Sequence, residues 1–362
     1  MRVIMANPSG FGGPDYDHNL CSELGSLGVD VDLVTSRFRF GEVPRPRGYT
    51  RHELFYPVSS RLFRRSPLRI PLKVAEHPLG MLRLGLRPAD IVHFQWMTLP
   101  ELDRWMLRAR GRLVYTAHDL VPRRTGRRRR AWEHLYDRFD RIVVHSETGL
   151  ATLADRGVPE EKLRVIPHPI IATNPPRTDD GRTLLCLGLI RPYKGIDHAI
   201  EVTKLVKGAR LIVAGDPMEP IERYRVAGGE LVEWRLGYLP QQEVDRAYGD
   251  ATLALFPYRP GLDQSGTLLR ALGAGVPAVT YDVGGMGENV RRFGAGRVVP
   301  AGDVEAMAAA VRELLDDPAA LAAARAGAQQ ARDTLTWEAS ARQHVEVYRE
   351  LLSGGGRRAA GH

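Results

Sequence analysis

Short runs of apolar residues recur along the chain, and segments with helical spacing of apolar positions separate them. In the first half the runs are RVIMA (2–6), VDLVT (31–35), DIVHF (90–94), RLVYTA (112–117) and RIVVHS (141–146). In the second half they are TLLCLGLI (183–190), ARLIVAG (209–215), ATLALFP (251–257) and PAVTYD (277–282). Short apolar runs are typical of strands buried on both faces of a parallel sheet. Their alternation with helices predicts an α/β fold.

A Pro-rich polar stretch, ATNPPRTDDGR (172–182), divides these runs into two groups. The sequence therefore predicts two Rossmann-like, doubly wound domains, at 1–173 and 174–336. The segment 337–352 places a set of apolar side chains on one helical face, namely Trp337, Ala341, Val345, Tyr348 and Leu352. We expect this helix to pack back on the first domain, and residues 353–362 to be disordered because they lack core-forming side chains.

The length and the charge distribution agree with two globular domains. At about 150 residues per domain, 362 residues suffice for two hydrophobic cores. The formal net charge is +8, but residues 1–173 hold 28 basic and 19 acidic side chains, so the excess positive charge lies in the first half. A one-sided charge of this kind attracts anions such as phosphates, acidic lipids or nucleic acids.

The two cysteines, Cys21 and Cys186, have no CxxC spacing and no neighbouring His cluster, so we expect neither a disulfide framework nor a metal site. The first apolar run is broken at Pro8, and no stretch of about 18 uncharged apolar residues exists. These features predict a cytoplasmic protein without a membrane-spanning segment, for which only attachment to a membrane surface stays open.

Glycines follow the first predicted strand, in NPSGFGGPDYDHNL, just before a predicted helix. Gly10, Gly12 and Gly13 allow the backbone to turn tightly and to approach a ligand closely, and a helix N-terminus suits a phosphate. The spacing is GxGG and does not match the dinucleotide-binding GxGxxG pattern. A strand-to-helix turn without a ligand is the alternative interpretation.

Two cations, Arg191 and Lys194, follow a buried strand in LGLIRPYKG, on the ligand-binding side of an open sheet. They suit a diphosphate, although a pair of solvated loop charges is the alternative. A second loop, FPYRPGLDQSG, enters a helix near Ser265, and the backbone N–H groups of Ser265, Gly266 and Thr267 would point at an anion. Ser265 as a simple N-cap is compatible with this interpretation.

The order of these motifs resembles the family-4 retaining glycosyltransferases, which have the GT-B fold of two Rossmann-like domains facing a central cleft. The resemblance covers nearly the whole chain. It is carried by the glycine loop and by YTAHDL, HSETGLATLADRGVPEEKLRVIPHPI, GLIRPYKG, LIVAGDP, GYLPQQEVDRAYGDATLALFPY and GAGVPAVTYDVGGMGENV. It implies an enzyme that takes a nucleoside-diphosphate sugar as donor. We expect neither a cofactor nor a metal, because the cations and the helix dipole serve the diphosphate and no DxD-type acidic pair is visible in the expected cleft.

The resemblance also implies roles for single residues. Arg191 and Lys194 would bind the diphosphate and stabilise the charge that develops on the leaving group. His118 would contact the donor sugar, although a structural histidine bonded to the backbone is the alternative. The other donor-side positions that it implies are Gly12 and Gly13 near the phosphates or acceptor, Tyr238 and Leu239 near the base, and Glu288 after a GG turn.

One departure from the family pattern concerns a pair of glutamates eight positions apart, the first touching the sugar and the second the ribose. Leu262 and Arg270 occupy these positions here. Asp263, one residue along, would replace the first glutamate after a small shift of the loop. Arg270 cannot accept hydrogen bonds from ribose hydroxyls, because a guanidinium only donates. Another residue must bind the ribose, or the donor is atypical, or activity is lost.

The resemblance implies that the first domain binds the acceptor, and two basic segments lie in this domain. In SSRLFRRSPLRIPLK (59–73), which includes Arg64 and Arg65, apolar residues alternate with arginines, a mixture that suits an anionic lipid surface. In VPRRTGRRRRAW (121–132), Arg127 and Arg128 follow soon after His118. A solvated Arg-rich loop is the alternative interpretation, since 46 of the 51 basic residues are arginine.

The sequence therefore predicts a retaining glycosyltransferase acting on an acceptor hydroxyl that is lipid-linked, part of a polysaccharide or part of a secondary metabolite. The alternative is a noncatalytic nucleotide-sugar-binding protein of the same fold, which Leu262 and Arg270 favour. We do not expect nucleic-acid binding, because the Arg-rich segment 121–132 contains one stacking aromatic, Trp132, and no known module.

Overall fold

The computed structural model describes residues 1–10, 14–38, 43–62, 68–108, 110–120 and 128–354. Its strands are β1 Arg2–Asn7, β2 Asp30–Ser36, β3 Thr50–Phe55, β4 Ile91–Phe94, β5 Arg112–Thr116, β6 Arg141–Val144, β7 Leu163–Val165, β8 Thr183–Leu187, β9 Arg210–Gly215, β10 Val232–Leu236, β11 Leu253–Phe256, β12 Ala278–Tyr281 and β13 Gly296–Val299.

Most of the consecutive strands have an α-helix of the described residues between them, and three further helices follow β13. The helices are α1 Pro14–Ser26, α2 Arg69–Gly85, α3 Pro100–Met106, α4 Arg129–Arg138, α5 Glu147–Ala154, α6 Ile196–Leu205, α7 Glu222–Gly228, α8 Gln241–Asp250, α9 Gly266–Gly273, α10 Met286–Phe293, α11 Val304–Asp316, α12 Pro318–Thr334 and α13 Trp337–Ser353.

The chain divides into two compact units. Unit 1 comprises Met1–Pro167 and the segment that starts at Trp337, and unit 2 is the continuous segment His168–Thr336. The first change of unit comes between Pro167 and His168, six residues before the boundary expected from the sequence. The Pro-rich stretch after position 171 belongs to unit 2, because its backbone bonds to α8 and α9: Thr178 donates to Gly249, and Thr173 donates to Gly273.

The unit 1 sheet has seven strands in the order β3-β2-β1-β4-β5-β6-β7. The strands pair in parallel, and β1 lies between β2 and β4. Strands β1 and β4–β6 are almost wholly buried, since helices cover both faces, and this explains their uninterrupted apolar runs. The chain reverses its winding direction between β1 and β4, where open α/β sheets bind ligands at the carboxyl ends of the strands.

The unit 2 sheet repeats this arrangement with six strands in the order β10-β9-β8-β11-β12-β13. Strand β8 pairs in parallel with β9 on one side and with β11 on the other. The winding therefore reverses between β8 and β11, and the loops that follow these two strands lie at the same edge of the sheet. The predicted fold class, α/β with doubly wound parallel sheets, is confirmed in both units.

Helix α13 packs on one face of the unit 1 sheet. Its Ala341, Val345 and Tyr348 share a core with Val3 and Met5 of β1. The sequence pattern assigned Leu352 to this face, but Leu351 is buried and Leu352 is exposed, because the last contact comes three and not four residues after Tyr348. The helix extends through Ser353, so that residue belongs to no disordered tail, and residues 355–362 lie outside the described residues.

Candidate active site

The candidate donor site of unit 2 lies at the carboxyl ends of β8 and β11. A short helical turn over Pro192–Lys194 follows β8, and Gly195 ends it in the left-handed conformation at φ +66°. A Cβ at Gly195 would lie 2.0 Å from the carbonyl oxygen of Pro257, so glycine is required where the two loops touch. This contact brings Lys194 beside Tyr258, which follows β11.

Lys194 is buried, with 8% of its surface exposed. Its Nζ donates to the carbonyl of Leu187 at 3.3 Å, to Oγ1 of Thr267 at 3.2 Å and to the hydroxyl of Tyr258. The ammonium also lies 4.4 Å from the centre of the Tyr258 ring, where the ring face attracts a cation. An ammonium has three N–H groups, so the protein engages all of the donors of Lys194.

Arg191 differs from Lys194 in exposure and in partners. It is half-buried and has an extended backbone at φ −139° directly before the helical turn. In the part of the chain that the structure describes, its guanidinium forms no ion pair or hydrogen bond. The two cations that the sequence placed together therefore follow the same strand, but only Arg191 has its donors available to a ligand.

Helix α9 begins at the same edge of the sheet. Ser265 is its N-cap, and Oγ of Ser265 accepts a hydrogen bond from the N–H of Leu268 at 3.3 Å. The same Oγ lies 3.0 Å from Oγ1 of Thr267, which is bonded to Lys194. Gly266 is exposed, and a Cβ there would meet no atom within 4 Å. The first turn of α9 thus combines an N-cap serine, a bonded threonine and an open backbone.

Gly188 closes the pocket around Lys194 from the end of β8. Its φ is +113°, and a Cβ there would lie 3.0 Å from the methyl carbon of Thr267 and 3.1 Å from Nζ of Lys194. The small pocket next to it is lined by Cys186, Leu187, Gly188, Ile190, Lys194, Ile196, Leu255 and Tyr258. Burial raises the pKa of the Cys186 thiol to about 12, so this side chain stays protonated at neutral pH.

Asp263 is buried and fixes a loop. Its Oδ1 accepts a hydrogen bond from the N–H of Gly285 at 2.9 Å, which ties the loop after β11 to the turn before α10. Glu288 lies in the first turn of α10 and is half-buried. The neighbouring Leu262 packs against the core, and Arg270 donates to Oε1 of Gln241 at 3.3 Å.

Tyr238 and Leu239 follow the edge strand β10. Tyr238 is 76% exposed, whereas Leu239 packs partly against the unit 2 core. Of this pair, only the tyrosine ring presents its surface to a ligand.

Unit 1 has a polar and aromatic cluster around His118, which follows β5. Nε2 of His118 lies 2.8 Å from Oε1 of Gln95, and Nδ1 lies 3.2 Å from Nε2 of His145. The ring stacks on Trp96 with 5.0 Å between the ring centres, and the Tyr16 ring meets it edge-on at 4.7 Å. Both nitrogens of His118 are therefore engaged by side chains of unit 1.

A second, deeper histidine supports this cluster. Nδ1 of His93 lies 2.6 Å from the hydroxyl of Tyr348 in α13, and Nε2 lies 2.7 Å from Oγ1 of Thr116. Burial lowers the pKa of His93 well below the ordinary value, so the ring is neutral. The side-chain nitrogen of Gln95 contacts Nε2 of His93 at 3.3 Å and Sδ of Met5 at 2.8 Å.

The sequence interpretation missed Tyr16, Gln95, Trp96 and His145. Gln95 and Trp96 follow β4 directly, and His145 follows β6 directly. The strand-end rule that selected Arg191 and Lys194 would also have selected them. Tyr16 had no such signal, because it lies within α1.

Several predicted residues cannot be placed in this geometry. Gly12, Gly13, Arg64, Arg65 and Arg127 lie outside the described residues. Arg128 is described, and its guanidinium pairs with the carboxylate of Glu101.

The described residues lack two kinds of feature. They contain no group of three or more His, Cys, Asp or Glu side chains that could hold a metal ion. They also contain no helix of the length and apolar character that crossing a membrane requires.

Comparison with known families assigns both halves of the chain. Residues 15–173 match the family model described as Glycosyltransferase Family 4, and residues 181–317 match the one described as Glycosyl transferases group 1. The chain belongs to the family-4, group 1 glycosyltransferases. The family that the sequence motifs resembled is thereby confirmed.

Curated relatives of this glycosyltransferase include an exopolysaccharide phosphotransferase of Streptomyces coelicolor, 31% identical over 59% of this chain and 24% of the relative. A D-inositol 3-phosphate glycosyltransferase of Thermobispora bispora is 25% identical over 93% of this chain and 89% of the relative. The chain spans 24% to 44% of the length of the first curated relatives that it matches, which include a glycogen synthase of Mycobacterium tuberculosis.

Solved structures share the fold of this glycosyltransferase. Sucrose-phosphate synthase from Thermosynechococcus elongatus matches with a TM-score of 0.73 and 20% identity, over 98% of this chain and 100% of that one. The HepE protein of Anabaena in complex with UDP-glucose matches with a TM-score of 0.69 and 16% identity, over 97% of this chain and 100% of that one. The fold is that of the GT-B glycosyltransferases.

Proposed function

We propose that the chain transfers a glycosyl group from a nucleoside-diphosphate sugar to an acceptor hydroxyl, with retention at the anomeric carbon. The observation that carries this proposal is the arrangement of Arg191, Lys194 and the first turn of α9 at the carboxyl ends of β8 and β11. Family membership and the fold shared with a UDP-glucose-binding protein support a nucleotide-sugar donor.

The charges of this site suit a diphosphate. The exposed backbone of Gly266 offers an N–H group at the positive end of the α9 dipole, and Arg191 offers donors that pair with no described residue. Lys194 would exchange its hydrogen bond to Thr267 for one to a phosphate oxygen. These groups would stabilise the negative charge that grows on the diphosphate as the bond to the sugar breaks, which is where fixed cations accelerate a reaction most.

We propose that retention needs no enzymatic nucleophile. Asp263 directs Oδ1 to the N–H of Gly285, which supports a loop-fixing role for this carboxylate. In a front-face reaction the departing phosphate accepts the proton of the acceptor hydroxyl, and the new bond forms on the face that the phosphate leaves. Positioning and electrostatic stabilisation then supply the catalysis.

The base and the ribose would be bound differently from the family pattern. The exposed ring of Tyr238 provides a surface on which a base stacks. Arg270, which donates to Gln241, offers no acceptor for ribose hydroxyls. We therefore propose that another residue binds the ribose.

The departure at Leu262 and Arg270 favours a second candidate, a noncatalytic nucleotide-sugar-binding protein. Calorimetric titration of nucleotide sugars combined with a donor-hydrolysis and transfer assay separates the two candidates. Binding together with turnover supports the enzyme, and binding without turnover across donors and acceptors supports the second candidate.

On the acceptor side, we propose contact with an anionic lipid surface through α2, at the cytoplasmic face of a membrane. One side of this helix packs inward through His77, Gly80, Met81 and Leu84. The opposite side, called the α2 surface here, exposes Pro71, Val74, Leu79 and Leu82, together with Leu86 at the C-cap.

The exposure and charge of the α2 surface suit such a membrane. Leu82 and Leu86 are each 59% exposed. Arg69, Lys73 and Arg83 lie on the same helix. Apolar side chains flanked by cations are typical of helices that lie in an anionic membrane interface. The acceptor would accordingly be lipid-linked.

A thermal-shift screen over nucleoside diphosphates and their sugars tests the donor proposal. A ligand that binds only the folded state at 100 times its Kd stabilises it by about 2.7 kcal/mol. We expect nucleoside diphosphates to raise the unfolding midpoint, and nucleosides without phosphate to have a much smaller effect. Equal shifts from both would contradict a diphosphate site.

A further inference from the structure

The rings of His118 and His145 form the middle of a hydrogen-bonded chain, and together they are called the His dyad here. At one end, Nε2 of His118 lies 2.8 Å from Oε1 of Gln95. In the middle, Nδ1 of His118 lies 3.2 Å from Nε2 of His145. At the other end, Nδ1 of His145 lies 2.9 Å from the carbonyl oxygen of Ile166. The series of hydrogen bonds therefore has an oxygen at each end, Oε1 of Gln95 and the carbonyl oxygen of Ile166.

Counting protons along this chain fixes the charge of the His dyad. Carbonyl oxygens only accept, so Nε2 of His118 and Nδ1 of His145 must each carry a hydrogen. A neutral imidazole carries one hydrogen, so two neutral rings would leave the two central nitrogens with opposed lone pairs at 3.2 Å. A third hydrogen between them completes the chain. The His dyad then holds one proton more than two neutral rings do.

The orientation of the Gln95 amide decides this count. Gln95 is fully buried, and its Nε2 lies 2.8 Å from Sδ of Met5 and 3.3 Å from Nε2 of His93. Turning the amide over would place Oε1 against the thioether sulfur, which is also an acceptor. In the observed orientation the N–H groups of Gln95 face two acceptors, because His93 is neutral and is able to accept at Nε2. Oε1 therefore faces His118.

We infer that the His dyad carries one shared proton and a single positive charge, and that His145 is the positioning residue that keeps His118 protonated. Its catalytic consequence rests on the proposed function, whereas its protonation state does not. With both nitrogens of His118 engaged, the ring acts on a sugar or acceptor oxygen through its charge, and not as a neutral hydrogen-bonding group.

The groups around the His dyad determine whether a positive charge is stable on it. Burial opposes a cation, and His145 is only 3% exposed. Trp96 stacks on His118 and presents a ring face, which favours a cation there. Tyr16 meets the ring from α1, and burial raises its pKa far above neutral pH, so it stays uncharged.

Two further titratable groups lie next to the His dyad. His93 stays neutral behind Gln95, as its lowered pKa requires. Asp119 follows His118 in the chain and is half-buried. The shared proton is therefore best placed toward His118, the more exposed ring of the two.

Nitrogen NMR of the full-length protein labelled in its histidine rings tests the charge directly. Long-range proton–nitrogen spectra distinguish an imidazolium from either neutral tautomer. At pH 7 we expect three ring hydrogens over the four nitrogens of the His dyad, with signals assigned by His118→Gln and His145→Gln. Two neutral rings at pH 7 would overturn the inference. His134→Asn, on the outer helix α4, should leave these signals unchanged.

The pH dependence of kcat/KM tests the positioning role. In His145→Gln, the amide is able to donate to Nδ1 of His118, so a neutral His118 becomes acceptable. We expect the alkaline loss of activity to move to lower pH by about one unit or more, since a one-unit change corresponds to about 1.4 kcal/mol of differential interaction. A uniform decrease in activity at every pH, with an unmoved alkaline limb, would overturn the role of His145.

A second variant distinguishes a change in the protonation of the His dyad from a folding defect, because it should shift the pH profile in the opposite direction. Gln95→Glu replaces the amide by a group that only accepts when ionised, so it should hold the shared proton more tightly and move the alkaline limb to higher pH. A shift to lower pH, or none, would contradict the inference. If no nucleotide sugar is turned over at all, the proposed function fails while the NMR result still decides the charge of the His dyad.

Discussion

The ammonium of Lys194 lies 3.2 Å from Oγ1 of Thr267, so a buried cation is hydrogen-bonded to the first turn of α9. The two residues are 73 positions apart in the chain. This contact joins the loop after β8 to the helix after β11.

Replacing both cations of the candidate donor site should abolish most turnover. Removing one preorganised donor to a developing negative charge costs about 10²–10³-fold in kcat, so we expect at least this loss for Lys194→Ala and a larger one for Arg191→Ala with Lys194→Ala. Steady-state kinetics with the active nucleotide sugar measures both. Arg210→Ala, which removes an exposed arginine paired with Asp180 at the start of β9, is the matched control and should retain activity. Near-normal turnover in the double variant would rule out the assigned site.

Gly188→Ala should unfold at lower denaturant concentration and bind donor poorly. The new methyl group would lie 3.0 Å from the Thr267 methyl carbon and 3.1 Å from Nζ of Lys194, at a φ of +113°. Backbone strain alone costs about 1–3 kcal/mol. Gly261→Ala is a matched control, because Gly261 has the same φ but a Cβ there would meet no atom within 4 Å. The extra destabilisation of Gly188→Ala over Gly261→Ala measures the packing, and equal values would refute a tight pocket.

Asp17 should make the protein less stable as the pH rises. This buried carboxyl accepts a hydrogen bond from Nδ2 of Asn7 at 2.7 Å, but burial raises its pKa to about 7. Between the ordinary value near 4 and pH 7 the unfolded chain is ionised at this position and the folded chain is not, so the free energy of unfolding falls with pH, by up to about 4 kcal/mol.

The variant Asp17→Asn tests this pH dependence. We expect its stability to change much less than that of the wild type between pH 4.5 and 7.5, and to exceed it at the upper end, in denaturant titrations at several pH values. Asp137→Asn alters an exposed carboxyl on α4 and should keep the slope of the wild type. A wild-type slope in Asp17→Asn would show that another group causes the fall.

Adding charge to the α2 surface should weaken binding to anionic vesicles. Leu79→Glu with Leu82→Glu places two carboxylates among exposed apolar side chains, and each loses apolar contact and repels acidic headgroups. Co-sedimentation with phosphatidylglycerol vesicles should fall about tenfold or more, while phosphatidylcholine vesicles bind weakly throughout. Val226→Glu, at an 85% exposed position of α7 in unit 2, is the matched control. Unchanged sedimentation of the double variant would exclude α2 as the contact.

Apolar runs in the sequence predicted the interior strands of both sheets, and the strands that they did not predict are the four at the sheet edges. These edge strands are β3 (TRHELF), β7 (LRV), β10 (VEWRL) and β13 (GRVV). An edge strand has a neighbour on one side only and is partly exposed, so selection for apolar side chains is weaker and charges interrupt the pattern. Edge strands therefore need tertiary information.

The candidate site, like the sheets, was only partly predictable from the sequence. Strand ends indicated Arg191 and Lys194, because a loop that follows a parallel strand lies at the ligand-binding edge whatever its partners are. The family resemblance indicated His118. The state of each side chain depends on distant residues. Tyr258, which engages Lys194, is 64 positions away from it, and Gln95, which engages His118, is 23 positions away. The basic segment singled out from the sequence ends at position 73, so it does not include the exposed apolar side chains of α2 beyond that position.

The return of α13 to unit 1 has a consequence for biosynthesis. Unit 2 is one continuous segment, so its sequence is complete as soon as Thr336 has been added to the growing chain. Unit 1 places Val3 and Met5 in one core with Ala341, Val345 and Tyr348, and these partners are separated by more than three hundred residues of synthesis. Because domains generally fold as their segments emerge from the ribosome, the second half of the chain is able to reach its native state first. One apolar face of the unit 1 sheet then stays uncovered until α13 has been synthesised and packs on it.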